Sequence, residues 1–238
     1  MHGLTAITAI TAQNTHAITA TRVLSAATVL AQLDAVAADF RIAAVKIGML
    51  GSAANTRIVA RWLRDHRLPN IVLDPVLAAS SGHRLLAADA LSTLRRDLLP
   101  LARVLTPNVP EAETLLGRRI RSLADMRAAA RDLRALGADA VLIKGGHLEG
   151  ATVRDHFLDA NGNKEFTHRR RHYAVRGTGC ALASAVAAGL ACGWSLRVAV
   201  GRAERYLQEA FATAQRRGHG PSRILEHDAS HLITRGAT

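Results

Sequence analysis

The sequence is poor in aromatic residues, in cysteine and in long apolar runs. These shortages exclude, in turn, an aromatic core, a disulfide and a membrane-spanning segment. Aromatic residues make up 3% of the 238 residues, so aliphatic side chains must fill the core. The two cysteines, Cys180 and Cys192, fall in one predicted helix about 18 Å apart, which is too far for a disulfide. No run is long and apolar enough to span a membrane, and the N-terminal residues do not resemble a signal peptide. We therefore expect a soluble protein of a reducing, cytoplasmic compartment.

Acidic residues are also scarce, since 19 Asp and Glu stand against 31 Lys and Arg and leave a net charge of +12. Such a balance fits binding to nucleic acid, to a membrane surface or to phosphorylated ligands. The basic residues are nevertheless scattered over separate predicted helices, and only Arg169–Arg171 forms a run. Because no aromatic-rich RNA-binding signature accompanies that run, we interpret the basic residues as a solvated surface and expect no nucleic-acid or membrane partner.

Predicted strands and helices alternate along the chain, which is typical of an α/β protein with a mostly parallel sheet. With 49% hydrophobic residues and no linker or repeat, residues 1–238 are predicted to form a single domain. Strands are predicted at 3–12, 45–50, 71–76, 103–106 and 140–143, with a hairpin over 153–171. Helices are predicted to begin near Ser25, Asn55, residue 87, Pro110, Ser122, Gly177 and Ser195.

One loop carries a stronger chemical signal than its surroundings. Gly177, Thr178, Gly179 and Cys180 lead into a run of small helix-forming residues. Unpaired N–H groups at a helix N-terminus bind anions, glycines allow close approach, and a thiol there favours its thiolate form. An ordinary glycine turn before a buried helix explains the loop equally well when it is taken alone.

Polar side chains recur where the predicted strands end, and ligands of open α/β sheets bind at that edge. Each has a bland alternative as a turn residue, a helix cap or a solvated strand end. Together with the Gly177 loop they offer an anion site, a cation for phosphate and oxygen ligands for Mg²⁺, a combination that indicates phosphoryl transfer from a nucleotide. These groups are Gln13 with Asn14, Asp74, Asn108 with Glu111, and Lys144.

Other chemistries have weaker support in the sequence. A hydrolase with Cys180 as nucleophile would need a histidine partner, and the sequence does not identify one. The eleven histidines include no pair at zinc-like spacing near a cysteine.

Six motifs together resemble the hydroxymethylpyrimidine/phosphomethylpyrimidine kinases of thiamine biosynthesis, in the same order along the chain. The resemblance covers nearly the whole sequence, and cysteine at position 180 is specific because other ribokinase-like enzymes usually have aspartate there. The motifs are Thr11–Thr15, Lys46–Leu50, Leu73–Val76, Thr106–Ala112, Lys144–His147 and Gly177–Cys180, and Gly218–Pro221 is similar too.

The resemblance implies a ribokinase-like three-layer α/β/α sandwich that uses ATP and Mg²⁺ and forms a homodimer. Its two reactions would phosphorylate 4-amino-5-hydroxymethyl-2-methylpyrimidine and then convert the monophosphate to the diphosphate. The implied roles are a hydrogen bond from Gln13 to the pyrimidine; pocket walls from Met49 and Val76; Mg²⁺ and nucleotide contacts from Asn108, Glu111 and Asp74; an ATP contact from Lys144; an anion hole from the N–H groups of Gly177 to Cys180; and a base at Cys180.

Two departures from the family pattern lead to further expectations. The family usually has another strand and a glycine-rich loop ahead of the strand at Gly3, so we expect Met1 not to be the natural start and the chain as given to be unstable. Arg176 stands where a histidine usually precedes the Gly177 loop. Two alternatives stay open: a kinase for pyridoxal or another small alcohol, and a non-catalytic chain that binds a ligand or partner.

Overall fold

The computed structural model describes residues 2–78 and 85–227. The helices are α1 (Ala26–Asp39), α2 (Ala53–His66), α3 (Ala90–Thr93), α4 (Val109–Leu116), α5 (Leu123–Ala135), α6 (Thr178–Ala191) and α7 (Leu196–Ala212). The strands are β1 (Ala9–Gln13), β2 (Ile18–Val23), β3 (Val45–Ile47), β4 (Ile71–Leu73), β5 (Val104–Leu105), β6 (Val141–Ile143), β7 (Thr152–Asp159), β8 (Gly162–Arg169), β9 (Val175–Arg176) and β10 (Arg223–Ile224).

The centre of the molecule is a six-stranded sheet in the order β3–β4–β5–β6–β7–β8. The first four strands run parallel, and β7 and β8 form an antiparallel hairpin at one edge. The predicted mostly parallel sheet and the predicted hairpin are therefore confirmed. The parallel strands are shorter than predicted, and β3 and β4 each end three residues before the predicted limit.

Alternate residues of the central strands pack against helices on opposite faces, as the period of a β-strand requires. Leu73 and Ile143 belong to a core shared with α1, α2, α4 and α5. Val72 and Leu142 belong to a second core shared with α6 and α7. This arrangement confirms the three-layer α/β/α sandwich, and it leaves the ends of the strands free to carry a site.

The strand predicted over residues 3–12 is present only from Ala9, and it does not belong to the central sheet. The strand there is β1, which pairs antiparallel with β2, and the two form a separate sheet. The turn between them is closed by Asn14, whose side-chain oxygen accepts the N–H groups of His16 and Ala17 at 2.8 and 3.0 Å. Asn14 is therefore a turn residue, and Gln13 lies at the tip of this N-terminal hairpin rather than beside the central strands.

Hydrogen bonds from Asn55 connect the N-terminal hairpin to the chain after β3. The sequence predicted Asn55 as the cap of α2, but Ser52 caps that helix by accepting the Asn55 N–H. The buried Asn55 amide instead donates to the carbonyl oxygens of Leu50 at 3.0 Å and Leu24 at 3.2 Å. Across the described ranges, no helix combines the length and apolarity needed to cross a membrane.

Candidate active site

A buried carboxylate lies between two lysines at the carboxyl edge of the sheet. Asp74 follows β4 directly and is 2% exposed. Nζ of Lys144, just after β6, donates to Oδ1 of Asp74 at 3.0 Å. Nζ of Lys46, within β3, lies 3.8 Å from Oδ2. The parallel strands therefore bring Asp74 and Lys144 together as the sequence predicted, and they add Lys46, whose signal was a lysine inside a short apolar strand.

Asn108 and Glu111 form a capping box at the start of α4. The Asn108 side chain accepts the N–H of Glu111 at 2.9 Å, and Oε2 of Glu111 accepts the N–H of Asn108 at 2.7 Å. The same Oε2 lies 4.0 Å from Nζ of Lys144. Asn108 therefore caps α4, Glu111 lies in the first turn of that helix, and Glu111 also faces the lysine.

Burial sets the protonation of this cluster. It raises the pKa of Glu111 to about 7, against the opposing pull of the Lys144 ammonium and of the Asn108 N–H. Burial alone would lower the pKa of Lys144, but the negative charges of Asp74 and Glu111 outweigh it and raise that pKa. Lys144 is therefore a firmly held cation, while Glu111 takes up or releases a proton near neutral pH.

The Gly177 loop packs directly over the lysine and aspartate pair. Gly177 precedes α6 with φ +79°, a left-handed conformation that glycine adopts without strain. A Cβ at Gly179 would lie 2.8 Å from Nζ of Lys144 and 3.9 Å from Oδ1 of Asp74. The first N–H groups of α6, from Thr178 onward, have no partner within the helix. A cation and a helix N-terminus therefore lie side by side, which is an arrangement that binds phosphate.

Cys180 lies in the first turn of α6, but the expected thiolate is not favoured. The side chain reaches solvent within a crowded cleft. Loss of hydration there and the negative charge of Asp74 raise the pKa of the thiol, against the opposing effect of Lys46 and Lys144. The expectation from the helix N-terminus alone is therefore corrected, because burial and a carboxylate distant in sequence both favour the neutral thiol.

The three residues assigned to pyrimidine binding lie in two different parts of the structure. Gln13 is exposed at the tip of the N-terminal hairpin, whereas Met49 and Val76 are partly buried. Val76 lies next to the chain after β3, since a Cβ at Gly48 would be 4.0 Å from its side chain. Met49 and Val76 are thus brought to the lysine end of the sheet, while Gln13 lies on the separate sheet of the N-terminal hairpin.

Arg176 joins the Gly177 loop to the N-terminal hairpin. Its guanidinium donates to the carbonyl oxygen of His16 at 3.1 Å. The hairpin turn is also held by Thr15, whose hydroxyl accepts the N–H of Gly220 at 3.0 Å. Arginine therefore serves here as a bridge between the loop and the turn, a role that its position in the sequence did not reveal.

The residues assigned to Mg²⁺ fit a hard cation in their chemistry. Asp74 and Glu111 supply carboxylate oxygens beside the phosphate-binding loop, and Mg²⁺ commonly takes one or two carboxylates together with phosphate oxygens and water. Both carboxylates face the Lys144 ammonium in this structure.

Comparison with known proteins agrees with this geometry. The family model for phosphomethylpyrimidine kinase matches residues 1–224. The chain is 43% identical over 227 residues to the hydroxymethylpyrimidine/phosphomethylpyrimidine kinase of Rhizobium meliloti, covering 93% of this chain and 85% of that protein. It is 40% identical over 238 residues to the Bacillus subtilis enzyme of the same name, covering 98% and 87%. It is also 43% identical over 223 residues, or 92% of this chain, to a bifunctional thiamine biosynthesis protein of Geobacter sulfurreducens, of which it spans 46%.

Solved structures show the same relationship. A phosphomethylpyrimidine kinase from Clostridium difficile superposes with a TM-score of 0.78 at 36% identity, covering 88% of this chain and 87% of that one. A Bacillus subtilis pyridoxal kinase solved as an ADP complex superposes with a TM-score of 0.87 at 28% identity, covering 97% and 88%. The fold is therefore ribokinase-like, and the chain belongs to the phosphomethylpyrimidine kinase family.

Proposed function

We propose that the protein transfers phosphate from ATP to 4-amino-5-hydroxymethyl-2-methylpyrimidine and then to the resulting monophosphate, as a step of thiamine biosynthesis. The observation that carries this proposal is the contact between the N-terminus of α6 at Gly179 and the paired Lys144 and Asp74. Phosphoryl transfer depends on positioning and on stabilising negative charge. A helix N-terminus beside a buried cation supplies that stabilisation.

The phosphate end of the site would hold the nucleotide. The N–H groups of Gly177 to Cys180 and the Lys144 ammonium would contact its phosphates, and Asn108, Glu111 and Asp74 would hold Mg²⁺ around them. The bound Mg²⁺ would supply positive charge that neutralises phosphate oxygens. Lys46 is within reach of the same carboxylate and would compensate Asp74 when Lys144 turns to phosphate.

Cys180 would act as the base that accepts the hydroxyl proton in the first phosphoryl transfer. The hydroxymethyl oxygen forms a bond to the γ-phosphorus, the bond from that phosphorus to the β,γ-bridging oxygen breaks, and ADP leaves. The hydroxyl proton passes to the Cys180 sulfur. Because the pKa of the thiol is raised, this role requires prior loss of its proton, which the positive charges of Lys46 and Lys144 favour.

The pyrimidine end would be formed by the N-terminal hairpin and the chain after β3. Gln13 would hydrogen-bond the pyrimidine through an amide that both donates and accepts, and Met49 and Val76 would line the pocket. We further propose that the protein acts as a homodimer in the cytoplasm, without nucleic acid or membrane partners.

The experiment is a product assay with ATP and Mg²⁺ on two acceptors, the hydroxymethylpyrimidine and pyridoxal. Mass spectrometry should find the pyrimidine carrying one and then two added phosphates, with kcat/KM at least tenfold above that for pyridoxal. The pyridoxal kinase likeness supports the second candidate, at 28% identity against 43% for the pyrimidine kinase relative. Faster turnover of pyridoxal would establish that candidate, and nucleotide binding without turnover of either would indicate a non-catalytic chain.

A further inference from the structure

A second cluster of ionisable side chains lies on the α7 face of the sheet, next to the turn that follows Lys144, and the positive charge of that lysine acts on both of its carboxyl groups. Asp155 is on β7, His168 is on β8 and Glu204 is on α7. One potential ligand atom from each lies within 4.8 Å of the other two. Within residues 2–78 and 85–227 this is the one such group of three with ligand atoms close enough to share an ion.

Glu204 is the unusual member of this cluster. Its side chain lies in the core between α7 and the β7–β8 hairpin, and the residue is 4% exposed. Both carboxylate oxygens are withdrawn from solvent, and no hydrogen-bond donor of residues 2–78 and 85–227 reaches them; their polar neighbour is the Asp155 carboxyl group. Two buried carboxyl groups this close cannot both carry a charge unless a cation joins them, so the pair either shares a proton or binds a cation.

The other two members are held in place to face Glu204. Oδ1 of Asp155 accepts the N–H of Gly145 at 2.6 Å, which leaves Oδ2 directed at Nδ1 of His168, 4.0 Å away. The side chain of His168 is 18% exposed, so an ion can reach the site from solvent along the hairpin. Two carboxylates and one imidazole therefore surround one small volume.

The donor set selects the type of ion. Ca²⁺ takes six to eight oxygen ligands and Mg²⁺ keeps several waters, whereas a buried set of two carboxylates and one imidazole offers few positions. Zn²⁺ binds carboxylate oxygens and histidine nitrogens at about 2.0–2.2 Å with four ligands, so small side-chain rotations would close the site. We propose that Asp155, His168 and Glu204 bind a zinc-class divalent ion that joins the β7–β8 hairpin to α7.

The consequence would be structural, because the ion would link three separate elements of the fold. It would also fix the turn that follows β6, since Asp155 already holds the N–H of Gly145. Burial raises the pKa of both Asp155 and Glu204, so zinc would compete with protons for these carboxyl groups.

The test uses the full chain stripped of metal with a chelator and then given Zn²⁺ alone. Bound zinc is measured by mass spectrometry after gel filtration, and Tm is measured by calorimetry. We expect one zinc per chain and a rise in Tm of about 5–10 °C at a hundredfold excess over Kd. The variants are Glu204→Gln and His168→Asn, and the matched control is Glu209→Gln, which changes an exposed glutamate of the same helix.

Both site variants should bind zinc at least about 100-fold more weakly, since even outer partners of metal ligands contribute 10–100-fold, whereas Glu209→Gln should match the parent. Equal zinc retention in the parent and both site variants would place the ion elsewhere and overturn the proposal. No retention by the parent would also overturn it and leave a carboxyl pair that shares a proton. If Glu204→Gln fails to fold, His168→Asn still decides the test. Because zinc content and Tm do not depend on kinase activity, the result is independent of the proposed function.

Discussion

The Lys144 ammonium and the Asp74 carboxylate are paired at 3.0 Å, although their side chains are only 15% and 2% exposed. A buried pair of this kind adds little net stability, but the loss of one partner leaves an uncompensated charge in the protein interior. Substitution of either residue should therefore affect both the stability of the fold and the binding of phosphate.

Lys144→Met should lower the free energy of unfolding by about 3 kcal/mol, the lower end of the range for breaking a buried pair, because Lys46 still faces Asp74. Lys46→Met is the matched control and should cost less, since its Nζ lies 3.8 Å from the carboxylate. Urea unfolding measures both. Adding Asp74→Asn to Lys144→Met should recover part of the loss, and a strictly additive double variant would argue against the coupling.

Gly179→Ala should weaken ATP binding about tenfold, or about 1.4 kcal/mol, because the new Cβ would lie 2.8 Å from Nζ of Lys144 and displace the ammonium. Gly179→Val should have a larger effect because it also crowds the anion-binding turn. Gly146→Ala is the control, since a Cβ there meets nothing within 4 Å. Calorimetric ATP titrations that rank Gly146→Ala with Gly179→Ala would contradict the assignment.

Cys180→Ala should reduce kcat of the first phosphorylation about 10²–10⁴-fold, the range for a positioned base, with little change in ATP affinity. The second phosphorylation should be affected less, because its acceptor is a phosphate that is already ionised. The raised pKa of the thiol predicts that the parent rate of the first step rises with pH into the alkaline range. Near-normal kcat for the first step in Cys180→Ala would make the cysteine a packing residue.

Gln13→Leu should weaken pyrimidine binding by about 1–3 kcal/mol for each polar group of the substrate left unpaired. ATP binding should change little, because the substitution leaves the backbone N–H groups of the Gly177 loop and the Lys144 ammonium in place. Separate calorimetric titrations of the two ligands measure this. Equal losses for both ligands would indicate that the hairpin had moved and would reject a direct contact.

Glu111 should make stability fall as the pH rises from about 5 to 8. The pKa of Glu111 is raised from 4.5 to about 7 in the folded protein, so the native state holds a proton that the unfolded state has lost. Glu111 therefore stabilises the folded state fully at a pH below its unfolded pKa, and this stabilisation is lost as the pH rises through about 7. The free energy of unfolding changes by about 3 kcal/mol over that range. Glu111→Gln should flatten this dependence in urea unfolding at pH 5 and 8, because its amide still caps the helix and does not titrate.

The sequence predicted the central strands and the convergence of Asp74, Lys144 and the Gly177 loop, because apolar runs ending in polar residues are local signals. It did not predict β2. The alternation of apolar and polar residues over most of Ile18–Val23 is a strand signal, but it does not specify the antiparallel partner β1. The direction of the Cys180 pKa was also out of reach, because it depends on the burial of the thiol and on Asp74, a neighbour only in the fold.

Glu204 shows the same limit. A single acid on an amphipathic helix has no local signature, and its burial results from how α7 packs on the β7–β8 hairpin. The role of Asn55 was likewise hidden, because a polar residue two positions into α2 could cap that helix or reach across to another strand.

The two contacts that hold the tip of the N-terminal hairpin join residues far apart in the chain. His16 meets Arg176 across 160 positions, and Thr15 meets Gly220 across 205. Such long-range contacts form slowly because closing a long loop costs chain entropy before the contact is made. During synthesis these two contacts must therefore wait for almost the entire polypeptide, so the tip of the hairpin should gain protection from hydrogen exchange later than the β1–β2 ladder as the protein folds.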